Sequence, residues 1–223
     1  MSTEPTVSAR KRIIIVGAGG HGAVVADILQ RAHEAGSDQV PVGFVDDTPH
    51  LLRTAVLGLD VLAPIASLGD IAHDAVIVAL GDNGARRAMT ERLLAAGERL
   101  ATAIHPRACI APSAIIGEGS VICAGAVVAP RVTAGRGVII NTRASVDHDS
   151  VVGDFAHVSA GATIGGMVQI GAEALIALGA SIASRMAVGA RTIVGSGAVV
   201  VSDIPDDVVA LGVPARIRRD RKP

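Results

Sequence analysis

An aliphatic residue returns at every sixth position along the second half of the chain. Stepping by six from residue 104 to residue 200, 16 of the 17 positions hold Ile or Val, and the exception is Ala134. The positions one and four after each aliphatic residue are mostly Gly, Ala or Ser. A period of six fits neither the 3.6-residue helix nor the two-residue strand alternation. It predicts a solenoid with three flat faces, in which 18 residues complete one coil and the aliphatic residues stack inward.

The N-terminal hundred residues follow another pattern, in which short apolar runs alternate with amphipathic stretches. Alternating strands and helices favour a parallel sheet with right-handed crossovers, of a size that corresponds to half of a doubly wound fold. The boundary between the two patterns predicts an α/β domain over 1–103 and a solenoid domain over 104–223. The predicted strands cover 12–17, 40–46, 75–80 and about 100–104, and the predicted helices cover 22–36 and about 84–97.

Composition narrows the class of protein. Aromatic residues are 1% of the chain and the net charge is -1, which argues against nucleic-acid binding by basic patches or stacking aromatics. Mean hydropathy is +0.50, but the longest uncharged stretch, 155–172, contains a histidine and several glycines and is interpreted as solenoid. The first 12 residues lack the apolar segment of a signal peptide. We therefore expect a cytoplasmic protein without membrane insertion.

A glycine-rich loop follows the first predicted strand. Gly17, Gly19 and Gly22 spell G-x-G-x-x-G, and Asp46 and Asp47 end the next strand. Glycine amides at a helix N-terminus can cradle phosphate, and the whole pattern is formally a dinucleotide fingerprint. Half a doubly wound sheet cannot easily hold a dinucleotide, so a nucleotide-sugar pyrophosphate is favoured over NAD(P) or a purely structural turn. The two aspartates would then hydrogen-bond the base or ribose.

Four features together carry a resemblance to a known family. The chain combines a GAGGHG loop, a following strand that ends in Asp-Asp, an ALGDNGARR segment and an uninterrupted six-residue repeat. Over about 12–216 it resembles the nucleotide-amino-sugar N-acetyltransferases of the hexapeptide-repeat group, similar to the bacillosamine-pathway and perosamine enzymes and to sialic acid O-acetyltransferase-like proteins. The resemblance implies a half-Rossmann domain followed by a left-handed parallel β-helix, and a homotrimer with active sites between subunits. It further implies acetyl-CoA as co-substrate, with neither metal nor NAD.

The resemblance also implies roles for particular residues. His148 matches the catalytic base and Asp149 its partner, while His157 matches a second histidine near the acetyl donor and the amine. The predicted substrate-binding residues are Gly19, His21, Asp46, Asp47, Asn141 and His157, and the predicted residues for coenzyme A are His157, Gly166 and Arg216. Apart from the resemblance, the basic C-terminal end is either a solvated tail or the source of an ion pair between Arg216 or Arg218 and the 3′-phosphate of coenzyme A.

The six-residue register also places His148, independently of the resemblance. It lies two positions after an inward valine, so it should face outward, and an imidazole there can act as a general base near pH 7. Gly166 lies one coil on and would leave a recess for a thioester, with its N–H as a candidate oxyanion donor. Asp147 and Asp149 flank His148, and spacing alone leaves either as its partner. His157 lies half a coil away, so a site shared with His148 needs a neighbouring subunit.

The resemblance, together with the placement of His148, implies an acetyl-CoA-dependent N-acetyltransferase in surface-glycan biosynthesis. Its acceptor would be the C4 amine of a nucleotide-linked amino-dideoxy sugar, of the GDP-perosamine or UDP-4-amino-sugar type. An O-acetyltransferase acting on sialic acid or another hydroxyl could use the same histidine. A zinc enzyme like the γ-carbonic anhydrases needs three converging histidines, and the solenoid beyond the linker offers only His148 and His157. A non-catalytic nucleotide-sugar-binding solenoid remains the alternative from another class.

Overall fold

The computed structural model describes residues 10–220 and contains a small α/β layer followed by a long parallel β-helix. The strands of the α/β layer form one sheet in the order β3-β4-β2-β1-β5, in which all neighbours are parallel except β3 and β4. Two short 3₁₀ helices cover Pro49–Leu51 and Ile65–Asp70. The other elements are β1 (Lys11–Val16), α1 (Gly20–Glu34), β2 (Gln39–Val45), β3 (Ala55–Val56), β4 (Leu59–Ala63), β5 (Ala75–Val78) and α2 (Asn83–Ala95).

The sheet contains two strands that the sequence pattern did not predict. Strands β3 and β4 form a hairpin whose two turn residues, Leu57 and Gly58, both have positive φ. A leucine is an unexpected residue for that conformation, so the usual turn signal is absent from the sequence. Helix α1 also begins two residues earlier than expected, at Gly20, because the loop glycines enter its first turn.

The β-helix consists of short strands that recur every six residues and pair with strands 18 residues away, such as Val127 with Ser145. We call the three sheets face I, face II and face III. Face I contains Ala103–Ile104, Val121–Ile122, Ile139–Ile140, His157–Val158, Leu175–Ile176, Ile193–Val194, Val208–Leu211 and Arg216–Asp220. Face II contains Cys109–Ile110, Val127–Val128, Ser145–Val146, Thr163–Ile164, Ser181–Ile182 and Val199–Val200. Face III contains Ile115–Ile116, Thr133–Ala134, Val151–Val152, Gln169–Ile170 and Ala187–Val188.

From Ile122 to Val200, the second residue of each short strand is buried in the core, as the six-residue pattern predicts, whereas Ile104 in the first coil is exposed. Ile140, Val158 and Ile176 are fully buried on face I, and equivalent residues of the other faces join them in one aliphatic cluster. Burial of apolar surface in this continuous stack is the main stabilising contribution of the β-helix. The predicted fold class is thereby confirmed, whereas the division at 103/104 stays a prediction.

The corners of the β-helix are formed by residues with left-handed backbone conformation. Such a residue recurs every six positions from 119 to 197, three positions after each inward aliphatic residue. Many of these corners carry a side chain, and φ lies between 55° and 66° at Arg131, Arg143, Asp149, Phe155, Met167, Glu173, Arg185 and Arg191. Non-glycine residues rarely adopt this region, so the three-sided geometry imposes it on them. Asp149, next to His148, is one of these corners.

The α/β layer packs on face I of the β-helix. Val121 and Ile139 point out of this face, and both are fully buried in a cluster with Ile15 and Phe44 of the sheet and Ile28 of α1. This apolar contact places the N-terminus of α1 close to the middle of face I. In residues 10–220 no helix is long and apolar enough to cross a membrane.

Candidate active site

His148 lies at the corner between face II and face III, with its side chain 44% exposed. Its Nδ1 is 2.7 Å from Asp149 Oδ2, whereas Asp147 Oδ1 accepts the backbone N–H of His148 at 2.7 Å. The ring therefore pairs with Asp149, the partner that the resemblance favoured. Adjacent residues can approach in this way because Asp149 turns the corner. With Nδ1–H donating to the carboxylate, Nε2 is left as the basic nitrogen.

Arg131, Asp149 and His148 form a chain of three hydrogen-bonded side chains. The sequence did not predict the part of Arg131. It lies one coil before Asp149 and donates to both carboxylate oxygens, from Nε at 2.6 Å and from Nη2 at 2.7 Å. The hydrogen bonds from Arg131, followed by the one from His148, hold the pKa of Asp149 far below its usual value. The missed signal was the 18-residue spacing, which stacks a basic residue directly on the acidic one.

Replacing Arg131 with glutamine is expected to lower kcat by about tenfold. Asp149 would lose its two hydrogen bonds from the guanidinium and would no longer hold the His148 ring in one orientation. The measurement is kcat at saturating substrate concentrations. Arg191→Gln is the matched control, since Arg191 makes the same corner contact with Asp207 elsewhere in the β-helix. An unchanged kcat in Arg131→Gln would contradict the expectation.

The space predicted beside Gly166 is filled by the catalytic candidate itself. A Cβ on Gly166 would lie 2.8 Å from His148 Nε2, so the imidazole ring rests directly on this glycine. The Gly166 N–H donates to Ser184 Oγ at 3.2 Å. The expectation of an open recess with a free oxyanion donor is therefore wrong for this conformation. Gly166 instead gives the ring the room that it needs.

The glycine-rich loop divides into structural and open positions. Gly17 has φ 106°, and a Cβ on Gly22 would collide with the Gly17 carbonyl oxygen, so both positions require glycine. Gly19 and Gly20 face open space: within residues 10–220, a Cβ on either would have no heavy atom within 4 Å apart from its chain neighbours and the backbone of α1. Gly19 is also the N-cap of α1. The open pair thus lies at the helix N-terminus, where backbone N–H groups favour an anion.

A pair of alanine variants can separate these two classes of glycine. Gly22→Ala is expected to destabilise the protein by at least about 1–3 kcal/mol, because its methyl group collides with a backbone oxygen that cannot move aside. Gly19→Ala is expected to leave the thermal midpoint almost unchanged and to weaken nucleotide binding. Thermal unfolding followed by circular dichroism, with calorimetric titration of nucleotide diphosphates, measures both. Equal thermal midpoints for the two variants would refute the division.

His21 follows the open glycines and presents an unusual nitrogen. Its Nε2 atom is buried, and among the described residues it has no hydrogen-bond partner. Burial, followed by the nearby charge of Arg86, lowers the pKa of His21 to about 4, so the ring is neutral at pH 7. A buried nitrogen without a partner is costly unless a ligand or water supplies one.

Both Asp46 and Asp47 accept hydrogen bonds from the protein backbone, which the sequence did not predict. Asp46 accepts the backbone N–H of Ala18 at 2.7 Å and that of Thr48 at 2.8 Å, using both oxygens. These hydrogen bonds lower the pKa of Asp46 despite the opposing effect of its burial. Asp47 accepts the N–H of Ile65 through Oδ1 at 2.9 Å. Asp46 therefore orders the glycine-rich loop, and the second oxygen of Asp47 is the better candidate for a nucleotide contact.

Asn141 and His157 form a hydrogen-bonded pair on face I, beside the α/β layer. Asn141 Nδ2 is 3.0 Å from His157 Nε2. Burial, then the charges of Arg86 and His21, lower the pKa of His157 to about 3, against a smaller opposing effect of a hydrogen bond to the Gly81 backbone. His157 is thus neutral at pH 7.

The predicted site residues separate into groups within one chain. Asn141 and His157 lie on face I near His21, whereas His148 and Asp149 lie at the corner between the other two faces. Arg216 begins the last strand of face I, and its Nη1 donates to the carbonyl oxygen of Ala215. Arg86 of α2 acts electrostatically on the half-buried His21 and His157, and the sequence did not predict this role. In the described part of the chain, no three His, Cys, Asp or Glu side chains converge to hold a metal ion.

The chain matches known proteins over both of its parts. Residues 12–93 match the family model described as the PglD N-terminal domain. The chain is 36% identical over 119 residues to UDP-N-acetylbacillosamine N-acetyltransferase of Bacillus subtilis (strain 168). That alignment covers 51% of this chain and spans about half, 52%, of the curated relative.

Two solved structures match over almost the whole chain. The acetyltransferase domain of PglB from Neisseria gonorrhoeae FA1090 is 38% identical, with a TM-score of 0.86, and the match covers 94% of this chain and 100% of that domain. The same domain is also known in complex with acetyl coenzyme A. PerB from Caulobacter crescentus, in complex with CoA and GDP-perosamine, is 36% identical with a TM-score of 0.86, covering 93% of this chain and 97% of PerB.

Proposed function

Because this chain belongs to the family of sugar N-acetyltransferases that contains the PglB acetyltransferase domain and PerB, we propose that it acetylates a nucleotide-linked amino sugar. The donor is acetyl-CoA, and the acceptor is the C4 amine of an amino-dideoxy sugar carried by a nucleoside diphosphate. The product belongs to surface-glycan biosynthesis. The observation that carries the proposal for this chain is the His148–Asp149 pair, which leaves a basic Nε2 at an exposed corner of the β-helix.

His148 would act as a general base in direct transfer. The amine must lose a proton as it attacks the thioester carbonyl, and Nε2 of His148 can take that proton while Asp149 stabilises the resulting imidazolium. The C–N bond forms as the C–S bond breaks, and the thiolate of coenzyme A leaves and then takes up a proton. No side chain needs to be acetylated in this scheme.

The α/β layer would hold the nucleotide. The open Gly19–Gly20 segment at the start of α1 offers backbone N–H groups to a pyrophosphate, and the buried Nε2 of His21 offers an unused hydrogen-bonding atom beside it. Asp47 would contact the base or ribose. The Asn141–His157 pair would orient the amino sugar from face I, and Arg216 stays a candidate for a contact with coenzyme A.

The separation of the two groups supports a homotrimer with active sites between subunits. His148 is at the corner opposite to face I, where Asn141 and His157 lie, so one chain does not assemble the complete site. A rotationally symmetric neighbour can bring its own corner to the first subunit's face I. Acetyl-CoA and nucleotide sugars are metabolites of the cytoplasm, and we place the protein there.

Release of thiol from acetyl-CoA, measured against a panel of GDP-, UDP- and dTDP-linked 4-amino sugars, tests the proposal. Thiol release with one of them, together with a product heavier by one acetyl group in mass spectrometry, would support N-acetylation and identify the nucleotide. Release only with sialic acid, included as a hydroxyl acceptor, would replace it with O-acetylation. No release with any acceptor, despite nucleotide-sugar binding by calorimetry, would favour a non-catalytic binding protein.

A further inference from the structure

Arg86 is the largest fully buried side chain among the described residues, and the proposed reaction assigns it no role. It is 1% exposed and belongs to α2, within the ALGDNGARR segment. A buried guanidinium is stable only when its donors are satisfied, and replacing it would leave its partners without theirs. The acceptors of the Arg86 hydrogen bonds therefore show which segments of the chain this residue connects.

One side of Arg86 contacts the backbone of the β-helix. Its Nε donates to the Gly137 carbonyl oxygen at 2.8 Å, and its Nη2 donates to that of Phe155 at 2.7 Å. One turn earlier on α2, Asn83 Nδ2 donates to the Glu173 carbonyl oxygen at 2.9 Å and its Oδ1 accepts from Arg86 Nη2. Gly137, Phe155 and Glu173 are equivalent corner residues of three successive coils, and we call their carbonyl groups the carbonyl ladder.

The other side of Arg86 contacts the loop that follows β5. Its Nη1 donates to the carbonyl oxygens of Leu80 at 3.0 Å and Gly81 at 3.2 Å. The side chain of Leu80 packs against Gly17, the first glycine of the nucleotide loop, and Gly81 hydrogen-bonds His157. A single guanidinium thus joins the base of the nucleotide loop to the β-helix.

The ladder residues immediately precede the face I residues of the candidate site. Phe155 lies two positions before His157, and Gly137 lies four positions before Asn141. Holding these two carbonyl groups fixes the start of the strands that present Asn141 and His157. The position of α2 along the ladder therefore determines how far His21 lies from that pair.

The charge of Arg86 acts on the same groups. Burial lowers the pKa of Arg86 to about 10, with Asp82 and Glu173 opposing that shift, so it remains a cation at pH 7. This cation lowers the pKa values of both His21 and His157, after the larger effect of burial. The charged and titratable groups around it are therefore Asp82, Glu173 and the two histidines.

We propose that Arg86 is the positioning residue of the acceptor site: by clamping α2 to the carbonyl ladder, it sets the nucleotide loop with His21 at a fixed distance from Asn141 and His157. This inference rests on the proposed function. It assigns Arg86 to the binding of the nucleotide amino sugar and gives it no direct contact with the acetyl donor. An error of about 1 Å in such a placement is enough to lower the rate by about 10²-fold.

Steady-state kinetics of Arg86→Gln, varied in both substrates, test the proposal. We expect the KM for the amino sugar to rise by about tenfold or more, while the KM for acetyl-CoA changes by less than about twofold. Arg87→Gln is the matched control, because Arg87 is the next residue of α2, has an exposed side chain and contacts the Glu173 carboxylate without reaching the carbonyl ladder. Both KM values of Arg87→Gln should stay within about twofold of the wild type.

An unchanged KM for the amino sugar in Arg86→Gln, or an equal rise of both KM values, would overturn the proposal. If Arg86→Gln does not fold, Arg86→Lys and Asn83→Ala take its place, and the same selective rise is expected. Arg86→Lys keeps the positive charge but has one nitrogen in place of the three that contact the two sides. A rise in the KM for the amino sugar in this variant would show that the geometry of the guanidinium matters, and not its charge alone.

A titration that needs no turnover separates this proposal from the proposed function. The imidazole resonances of ¹³C-labelled histidine in Arg86→Gln, compared with the wild type, should show higher pKa values for His21 and His157. Unaltered titration curves would overturn the role of Arg86. Absence of acetyl transfer by the wild type would instead refute the proposed function, and the titration would still decide whether Arg86 controls the two histidines.

Discussion

Replacing His148 with alanine is expected to lower kcat by roughly 10²–10⁴-fold, the range that the loss of a general base produces. The imidazole is the group placed to take the proton of the attacking amine, with Nδ1 occupied by Asp149 and Nε2 available. Because the side chain lies outside the aliphatic core, the variant should unfold at the same temperature as the wild type. Initial rates of thiol release at saturating substrate concentrations measure the effect.

Two aspartate variants provide the control for this prediction. Asp149→Asn replaces the carboxylate that orients the ring and should lower kcat, by less than the loss of the ring itself. Asp147→Asn keeps an oxygen for the His148 backbone N–H and should leave kcat nearly unchanged. Normal turnover by His148→Ala would show that another group accepts the proton, and equal losses in the two aspartate variants would show that the observed pairing has no catalytic importance.

Acidification from pH 7 to pH 5 is expected to reduce the free energy of unfolding by on the order of 2 kcal/mol for each of His21 and His157. The pKa in the folded state is about 4 for His21 and about 3 for His157, and both rings take up protons near pH 6.5 when the chain unfolds. The unfolded state therefore binds more protons below pH 6.5. Stability falls from there down to about pH 4 for His21 and about pH 3 for His157.

One histidine of the α/β layer, His73, stabilises the folded state at low pH instead of destabilising it. His73 has a raised pKa, for which hydrogen bonds to the Ile71 backbone and to Glu98 outweigh the effect of burial. Its contribution is present below its unfolded pKa and is lost as the pH rises through its folded pKa. It therefore offsets a small part of the acid destabilisation.

Urea unfolding at pH 7.5 and pH 5.0 measures the net change in the free energy of unfolding that these histidines cause. Circular dichroism is the appropriate signal, because the chain contains neither Trp nor Tyr. His157→Gln should lose less stability than the wild type between the two pH values, since it has no ring to protonate. His33→Gln is a control from the C-terminal end of α1, where the ring Nδ1 is 3.1 Å from the Ser37 carbonyl oxygen. The same loss in His157→Gln as in the wild type would contradict the assignment.

The sequence predicted the fold well because the interior of the β-helix is periodic. An inward Ile or Val every sixth residue reports directly on a stack of equivalent coils, and the structure places Ile140, Val158 and Ile176 as expected. The hairpin of β3 and β4 escaped prediction because its turn contains Leu57 in a glycine-like conformation. Strand alternation there is too short to be recognised without a turn signal.

The candidate site was predictable only where its residues are neighbours in sequence. Spacing limited the partner of His148 to Asp147 or Asp149, and the family resemblance favoured Asp149. Arg131, in contrast, reaches Asp149 across one coil, and Arg86 reaches the corner residues Gly137 and Phe155 from α2. Those contacts depend on the stacking of coils and the docking of α2, which no local pattern encodes. The Asn141–His157 pair and the recess beside Gly166 likewise depended on side-chain orientations that register alone does not give.

Because α2 binds main-chain oxygens, its grip on the carbonyl ladder depends little on which side chains the corner residues carry. Mutations at Phe155 or Glu173 can accumulate over evolutionary time without abolishing the grip, provided that each corner keeps its left-handed backbone. The contact instead requires the 18-residue spacing of the carbonyl ladder. Inserting or deleting a residue between two ladder residues would move a carbonyl group out of reach of α2. Natural variation in length should therefore be found in the coils beyond Glu173, where 18-residue units can be gained or lost without disturbing the ladder.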